Sequence, residues 1–363
     1  LAIKTQEFLS LKASVALKQI ETRLLEDTEP EAPAPFDNIQ LLRSKKFLLR
    51  LEILGKERTL LKVFNFETDS IGNIREKISI LKFKEDPQVI NIYEVNYHKG
   101  LDFFLGSFMP LIINPEQKLV ICDFDKTLVD TSYSTTKEIY FSLTKPVGFF
   151  PNVTTGIDLL KDSIKEGHQP FILSASPHFY EDTIRDWLYR QQIFQAGIFL
   201  KDYRIVFSLF EHNTLETKDI KVQGLYKLNH LLDILHMTGI PNNLRLIGDN
   251  FESDPLIYLI LTRFLADPVE PWALWNKVKS LKAFQLTDRQ NSMLLSKFYH
   301  LAQKRSQHPV KIEIYIRAKS EDESLNAPAE FLQGKEGMVK MFVEQRRSAL
   351  PKVQKSGAEN HRP

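Results

Sequence analysis

The 363-residue chain has a single cysteine, Cys122, which excludes an intrachain disulfide and any zinc cluster built from several thiolates. Glycine and proline are sparse, at 14 and 18 residues, which excludes collagen-like and glycine-rich filament classes. Neither sign of charge is in excess. The 48 basic and 46 acidic residues leave a formal charge of +2, which argues against a non-specific nucleic-acid binder. Long apolar runs are missing as well: the uncharged stretch 103–115 contains Pro110 and falls short of the ~20 residues that span a bilayer. What remains is ordinary globular composition, 43% hydrophobic and 26% charged. At about 150 residues per domain this is enough for two domains with tails. The chain opens on Leu1, so a removed targeting segment stays open. The expectation is a soluble protein, cytoplasmic or peripheral to a membrane, with its compartment unassigned.

Patterning divides the chain. In residues 1–25, Leu9, Leu17, Ile20 and Leu24 recur near helical spacing with Lys4, Lys12, Lys18 and Arg23 between them, which predicts an N-terminal packing helix. The acidic, Pro- and Ala-rich segment 26–38 reads as a linker. Residues 39–110 read as a small β-rich or α+β domain. It holds a hairpin over 45–66 turning at Gly55-Lys56, a helix over 70–81 and a strand near 89–95. From Lys118 onward short apolar runs (119–122, 171–173, 197–200 and 244–247) alternate with helical patterns at 157–165, 178–190 and 225–235. Such alternation predicts a parallel sheet with helices on both faces, over 111–318. Residues 266–306 read as a helical insertion, centred on Asp288–Lys304. Residues 319–363 read as a fraying, partly disordered tail, with 338–343 as a short surface helix. Trp272 and Trp275 are assigned to packing in preference to a lipid interface.

In parallel sheets, ligands sit beyond the carboxyl ends of the strands, so the polar residues that follow each apolar run carry the interest. The first run ends in Asp123-Phe124-Asp125-Lys126-Thr127, with two aspartates on one side of an extended chain. The second ends in Ser174-Ala175-Ser176, which offers hydroxyls and N–H groups to a phosphate oxygen. A lysine ahead of the next helix offers a point charge, with Lys218, Lys221 and Lys227 as candidates. The fourth run ends in Gly248-Asp249 and reaches Asp254-Pro255. Carboxylates this close repel when buried, and all-oxygen donors without His or Cys favour Mg²⁺ as the remedy.

Taken in order, D-x-D-x-T, Ser, Lys and G-D-x-x-x-x-D resemble the haloacid dehalogenase (HAD) superfamily of aspartate-nucleophile phosphohydrolases. The second aspartate, Asp125, points to its phosphatases. The segments T-L-V-D-T-S after the first motif, P-F-I-L-S-A-S-P, Gly197-Ile198-Phe199-Leu200-Lys201-Asp202, G-D-x-x-x-x-D-P-x-I-Y and Ile314-Tyr315-Ile316-Arg317 are similar to the actin-patch-associated phosphatidate phosphatase family over about 118–260 and 308–318. Lys126 departs from that family, which usually has an acidic residue there. Lys227, 22 residues before Asp249, matches the family lysine in spacing, with Lys221 as runner-up.

The resemblance implies a HAD-like Rossmannoid sheet and a Mg²⁺-dependent phosphatase. Asp123 would be the nucleophile, Asp125 the general acid and base, and Lys227 the charge-neutralising cation. Thr127 would orient the loop, while Ser174, Ala175 and Ser176 would bind phosphoryl oxygens. Asp123, Asp125 (through its carbonyl), Asp249 and Asp254 would form the metal site. Phosphatidic acid, or a related phospholipid monoester at a membrane surface, is the implied substrate. A soluble phosphomonoester, a phosphoprotein and a catalytically weak binding scaffold are the alternatives. Only 48 residues separate Asp125 from Ser174, which leaves little room for a cap and predicts an open site.

Overall fold

The computed structural model describes residues 1–14, 46–131 except 71, 99 and 115, 150–201 except 178, 179 and 195, 223–281, 284, 288–305 and 309–344. Its centre is a six-stranded, wholly parallel sheet. The strands are β9 (Lys118–Asp123), β10 (Gln169–Pro177), β11 (Gly197–Lys201), β12 (Asn243–Asp249), β13 (Lys311–Ala318) and β14 (Val339–Val343). Their spatial order is β11-β10-β9-β12-β13-β14. The chain therefore runs outward from β9 through β10 to β11, then returns to the other side of β9 as β12. The gap between the ends of β9 and β12 is the topological switch point, where open parallel sheets open a crevice.

Both faces of this sheet are covered, as the uninterrupted apolar strands require. Leu119 and Ile121 of β9 enter one core and Val120 and Cys122 the other, because successive side chains alternate. Helices α1 (Thr154–Lys165) and α2 (Glu181–Arg190) close one face through Ile157, Leu160, Ile184 and Trp187. Helices α3 (Gln223–Thr238) and α4 (Asp254–Ala266) close the other. Almost every residue of α4 is buried. A helix that is apolar all round needs cover on its outer side too. Two helices within 266–306 supply it: α5 (Pro271–Val278) and α6 (Asp288–Lys304) bring Leu274, Trp275, Leu294, Phe298 and Leu301 into the same core. Trp275 is fully buried, while Trp272 is exposed beneath the Lys279 ammonium.

The N-terminal region is β-rich. The strands β1 (Ala2–Lys4), β2 (Phe8–Ser14), β5 (Asn73–Ser79) and β8 (Leu111–Ile112) form one four-stranded sheet. The strands β3 (Leu48–Leu54), β4 (Leu60–Glu67), β6 (Val89–His98) and β7 (Leu101–Phe108) form a second. The two share one apolar core, with Leu9, Leu11, Ile74 and Ile78 from the first and Leu49, Leu51, Ile53, Ile90 and Ile92 from the second. β1 joins this region to the parallel sheet: Ala2 faces the shared core while Ile3 packs into the helix-covered core.

Four readings of the sequence are corrected. Residues 2–14 are two strands, not the start of an N-terminal helix, and they bury Leu9 and Leu11 at a period of two. Leu17, Ile20 and Leu24, which carried the helical spacing, lie outside the described residues. The segment 70–81 is strand β5, because Ile74 and Ile78 fit both periods but Ile80 at the next even step fits only a strand. Residues 339–343 are strand β14, which pairs with β13 and extends the sheet; they are not a surface helix. The expected tail is therefore ordered up to 344, with the short helix α7 (Ala329–Leu332) on the way, and its remainder lies outside the described residues. The hairpin at 48–67 and the strand at 89–98 are as expected. Among the described residues no helix is long and apolar enough to cross a membrane.

Candidate active site

Asp123 is the last residue of β9 and Asp249 the last of β12, so the two strands flanking the switch point each end in a carboxylate. Asp254, the first residue of α4, joins them. One carboxylate oxygen from each of the three lies within 4.8 Å of the others, and all three residues are buried. Gly248 makes this approach possible. A Cβ there would stand 2.5 Å from Asp254 Oδ2 and 2.8 Å from the Tyr258 ring. The β12–α4 loop folds onto Asp249, whose Oδ1 accepts from the N–H groups of Phe251 (2.6 Å) and Glu252 (3.0 Å). Its other oxygen, Oδ2, is buried without a hydrogen-bond partner. Three converging carboxylates with a buried orphan oxygen among them can hold a hard cation.

Lys227, on α3, is fully buried and enters this cluster from the side. Its Nζ lies 3.0 Å from Asp123 Oδ1, 2.5 Å from Asp254 Oδ1 and 3.5 Å from Glu252 Oε2. Burial alone would pull its ammonium down, but Asp123, Asp254 and Glu252 outweigh burial and hold it well above the usual lysine range. Burial pushes the Asp123 carboxyl well up, opposed by Lys227 and reinforced by Asp254 and Asp249. Asp249 is raised by burial and then by Asp254. Burial is the first cause of both shifts and the neighbouring carboxylates add to it. Lys218 and Lys221 lie outside the described residues.

Asp125 is not one of the three clustered carboxylates. Its Oδ2 accepts from Ser174 Oγ at 2.8 Å and Ser176 Oγ at 3.1 Å. Burial raises its carboxyl above the ordinary range against the pull of these two hydroxyls. The expected phosphate-binding serines thus hold Asp125, and the Ser176 N–H in turn donates to Ser174 Oγ. Ala175 lies between them in β10. Thr127 Oγ1 donates to Asp123 Oδ2 at 3.2 Å, which fixes the carboxylate on its loop.

Three contributors were not singled out from the sequence. Glu252 lies among the unspecified positions between Asp249 and Asp254, and its carboxylate bridges Lys126 and Lys227. Burial would raise its carboxyl, but Lys227 and Lys126 hold it below the ordinary value. Arg317, at the end of β13, donates to the Lys126 carbonyl (2.5 Å) and to Asp130 (3.0 Å), while its own carbonyl accepts from Asn250 N–H. Asn326 Nδ2 donates to the Glu252 carbonyl at 3.1 Å, so the segment after β13 also braces the β12–α4 loop. The signal for Glu252 was a lone acidic residue inside one motif matched by a lone basic one, Lys126, inside another.

Two neighbouring strand ends in a parallel sheet, three clustered carboxylates and one buried lysine form an order of parts that can be compared with known proteins. Residues 118–270 match the family described as phosphatidate phosphatase APP1, catalytic domain. The resemblance to the phosphatidate phosphatase family drawn from the motifs is therefore borne out over this span, which contains every carboxylate of the cluster and Lys227. The match leaves out β13 and β14 and the whole N-terminal β-rich region. No curated protein matches the chain. Among solved structures, a calcium-binding mutant of Bacteroides uniformis beta-glucuronidase 2 aligns with 87% of this chain and 33% of its own length, at 9% identity and a TM-score of 0.24. This chain spans about a third of that enzyme, and so weak a likeness carries no argument.

Proposed function

We propose that the chain is a Mg²⁺-dependent phosphomonoesterase of the haloacid dehalogenase type, acting through a phosphoaspartate on Asp123, with phosphatidate or a related phospholipid monoester as substrate. The family match over 118–270 supports a phosphatase, and the substrate is taken from that family's description. The observation that carries the mechanism is the division of labour between the two aspartates of the first motif. Asp123 is held against Lys227 and the acidic cluster, while Asp125 accepts hydrogen bonds from two serine hydroxyls.

In this reading an Asp123 oxygen attacks phosphorus and the ester P–O bond breaks. Lys227 offsets charge on nucleophile and phosphoryl group. Asp125, its carboxyl raised by burial, gives its proton to the leaving oxygen. It then takes a proton from the water that cleaves the acyl phosphate, releasing phosphate and regenerating Asp123. Asp123, Asp249, Asp254 and the Asp125 carbonyl would hold Mg²⁺, which supplies positive charge to the transferring phosphoryl oxygens. The unit expected over 111–318 is taken as the catalytic one, extended to β14, which completes its sheet, and the β-rich region as an accessory unit.

The test is phosphate release with and without Mg²⁺, comparing phosphatidic acid in mixed micelles with a small aryl phosphate. Asp123→Asn, nearly isosteric, should lose at least about a thousandfold in turnover while keeping its circular dichroism spectrum. Full activity in that variant would remove the nucleophile. Equal or faster release from the aryl phosphate would keep the chemistry and replace the lipid with a soluble phosphomonoester.

A further inference from the structure

Lys126 and Glu252 sit beside the site without a part in the chemistry above. Each has a fixed backbone. Lys126 takes a left-handed conformation, φ 60°, which a residue with a side chain adopts only when its surroundings impose it. Its N–H is bonded to the Val129 carbonyl and its carbonyl to Arg317. The Glu252 N–H is bonded to Asp249 Oδ1 and its carbonyl to Asn326. Both side chains lead from the buried centre toward solvent: Lys227 is 0% exposed, Glu252 12% and Lys126 16%. The Glu252 carboxylate gives one oxygen to each ammonium group, Oε1 at 3.0 Å from Lys126 Nζ and Oε2 at 3.5 Å from Lys227 Nζ. Two oxygens of one anion shared between two cations is how a phosphate would sit there.

We propose that Glu252 is an internal stand-in for the substrate phosphate, and that Lys126 is a second phosphate-binding cation which Glu252 occupies until substrate arrives. The inference rests on the phosphatase reading for the direction from which substrate enters. Entry of a phosphate monoester rotates the Glu252 side chain out and leaves Lys126 and Lys227 on phosphoryl oxygens. The exchange discriminates by charge. A monoester dianion replaces a monoanion between two cations and gains Coulomb energy. A phosphodiester carries a single charge and replaces like with like, so it gains little and is excluded by the competing carboxylate.

Binding of inorganic phosphate and of dimethyl phosphate, measured by calorimetry at pH 8 with Mg²⁺, tests this without turnover. Glu252→Gln should bind phosphate about tenfold tighter than wild type, because the competing state is gone, and should gain measurable affinity for dimethyl phosphate. Lys126→Met should bind phosphate about tenfold more weakly, and in its background Glu252→Gln should gain much less. Glu252→Asp separates the stand-in from simple charge: it keeps the charge but is too short to span both lysines. It should therefore also bind phosphate tighter than wild type, by a few fold. Unchanged or weaker phosphate binding in Glu252→Gln, or a Glu252→Asp variant equal to wild type, would overturn the proposal. The phosphatase reading falls separately. If phosphate affinity follows the pattern but no protein hydrolyses either phosphomonoester, the stand-in survives and the activity does not. If wild type shows Asp123-dependent hydrolysis and its phosphate affinity ignores position 252, the reverse holds.

Discussion

At the scale of single residues, the site depends on a few atoms having no room to be elsewhere. Gly248 is the sharpest case. A methyl group at this position would meet Asp254 Oδ2 at 2.5 Å and Asp254 Cβ at 2.9 Å. Asp254 would have to retreat, and with it would go its contact with Lys227 and the acceptor it offers to the Asp249 N–H. Gly248→Ala should therefore fold with a loss of about 1 to 3 kcal/mol, as overpacked sites do. It should also lose about a hundredfold in kcat, as misplaced catalytic groups do. Steady-state kinetics beside a urea melt checks both, and a variant of normal kcat would show that Asp254 is not needed where it stands. Most of the residues concerned could be read directly from the sequence. Asp123, Asp125, Ser174, Asp249 and Asp254 each follow an apolar strand or open a helix, and polar residues in such places have few structural reasons to be there. Glu252 and Arg317 could not be read this way. Arg317 stands out only as the end of a strand motif, and Glu252 lies at an unspecified motif position; their contacts with the first-motif loop join segments far apart in sequence.

At the scale of elements, the parallel sheet was legible because its strands are buried on both faces and stay apolar without interruption. The N-terminal strands were not, because short strands with one buried face satisfy helical spacing about as well. Ile74 and Ile78 are four apart, a separation that both periods share. β14 escaped for a different reason: it lies at the sheet edge, half-buried, and its few apolar residues read equally as a surface helix. What holds it in place is visible only in three dimensions. Glu344, one residue past β14, accepts from the N–H groups of Thr154 (2.8 Å) and Thr155 (3.1 Å) at the start of α1. The residue preceding that helix, Val153, has no side-chain group to do so. A carboxylate at a helix N-terminus contributes through both hydrogen bonds and the helix dipole. Glu344→Ala should cost about 1 kcal/mol and loosen the edge strand more than the rest. Amide exchange at 339–343 should quicken by roughly fivefold while β9 and β12 amides keep their protection. Uniform quickening across the sheet would mean that Glu344 supports global stability and does not fasten this edge.

At the scale of the whole molecule, the β-rich region and the helices on the parallel sheet meet through charge as well as through Ile3. Lys12 of β2, Arg75 of β5 and Lys297 of α6 converge on His230 and Asp233 of α3, the helix that also carries Lys227. Asp233 lies 2.5 Å from Lys297 and 3.6 Å from both Lys12 and Arg75. His230 Nε2 faces the Leu200 carbonyl at 3.2 Å, so that nitrogen carries the proton. Its Nδ1 faces Lys12 Nζ at 3.1 Å and must accept. The arrangement suits a neutral imidazole and resists a charged one. Burial first, then Lys12, holds its pKa down to about 4 against 6.5, with Asp233 opposing. The sign follows from proton counting. Between pH 6.5 and 4 the unfolded chain binds a proton at this histidine that the folded chain refuses, so stability falls as pH falls. The contribution is complete above pH 6.5 and should shrink by about 2 to 3 kcal/mol at pH 4.5. Asp233, which burial would raise but His230, Lys12, Lys297 and Arg75 hold well below its ordinary value, loses its own contribution only at still lower pH. His230→Phe removes the titrating group. That variant should start less stable at pH 7, having lost the bonds to Leu200 and Lys12. It should then lose about 2 to 3 kcal/mol less than wild type between pH 7 and pH 4.5, measured by urea unfolding at each pH. Parallel losses in the two proteins would show that His230 takes up its proton in the folded state and that the joint between the two regions tolerates the charge.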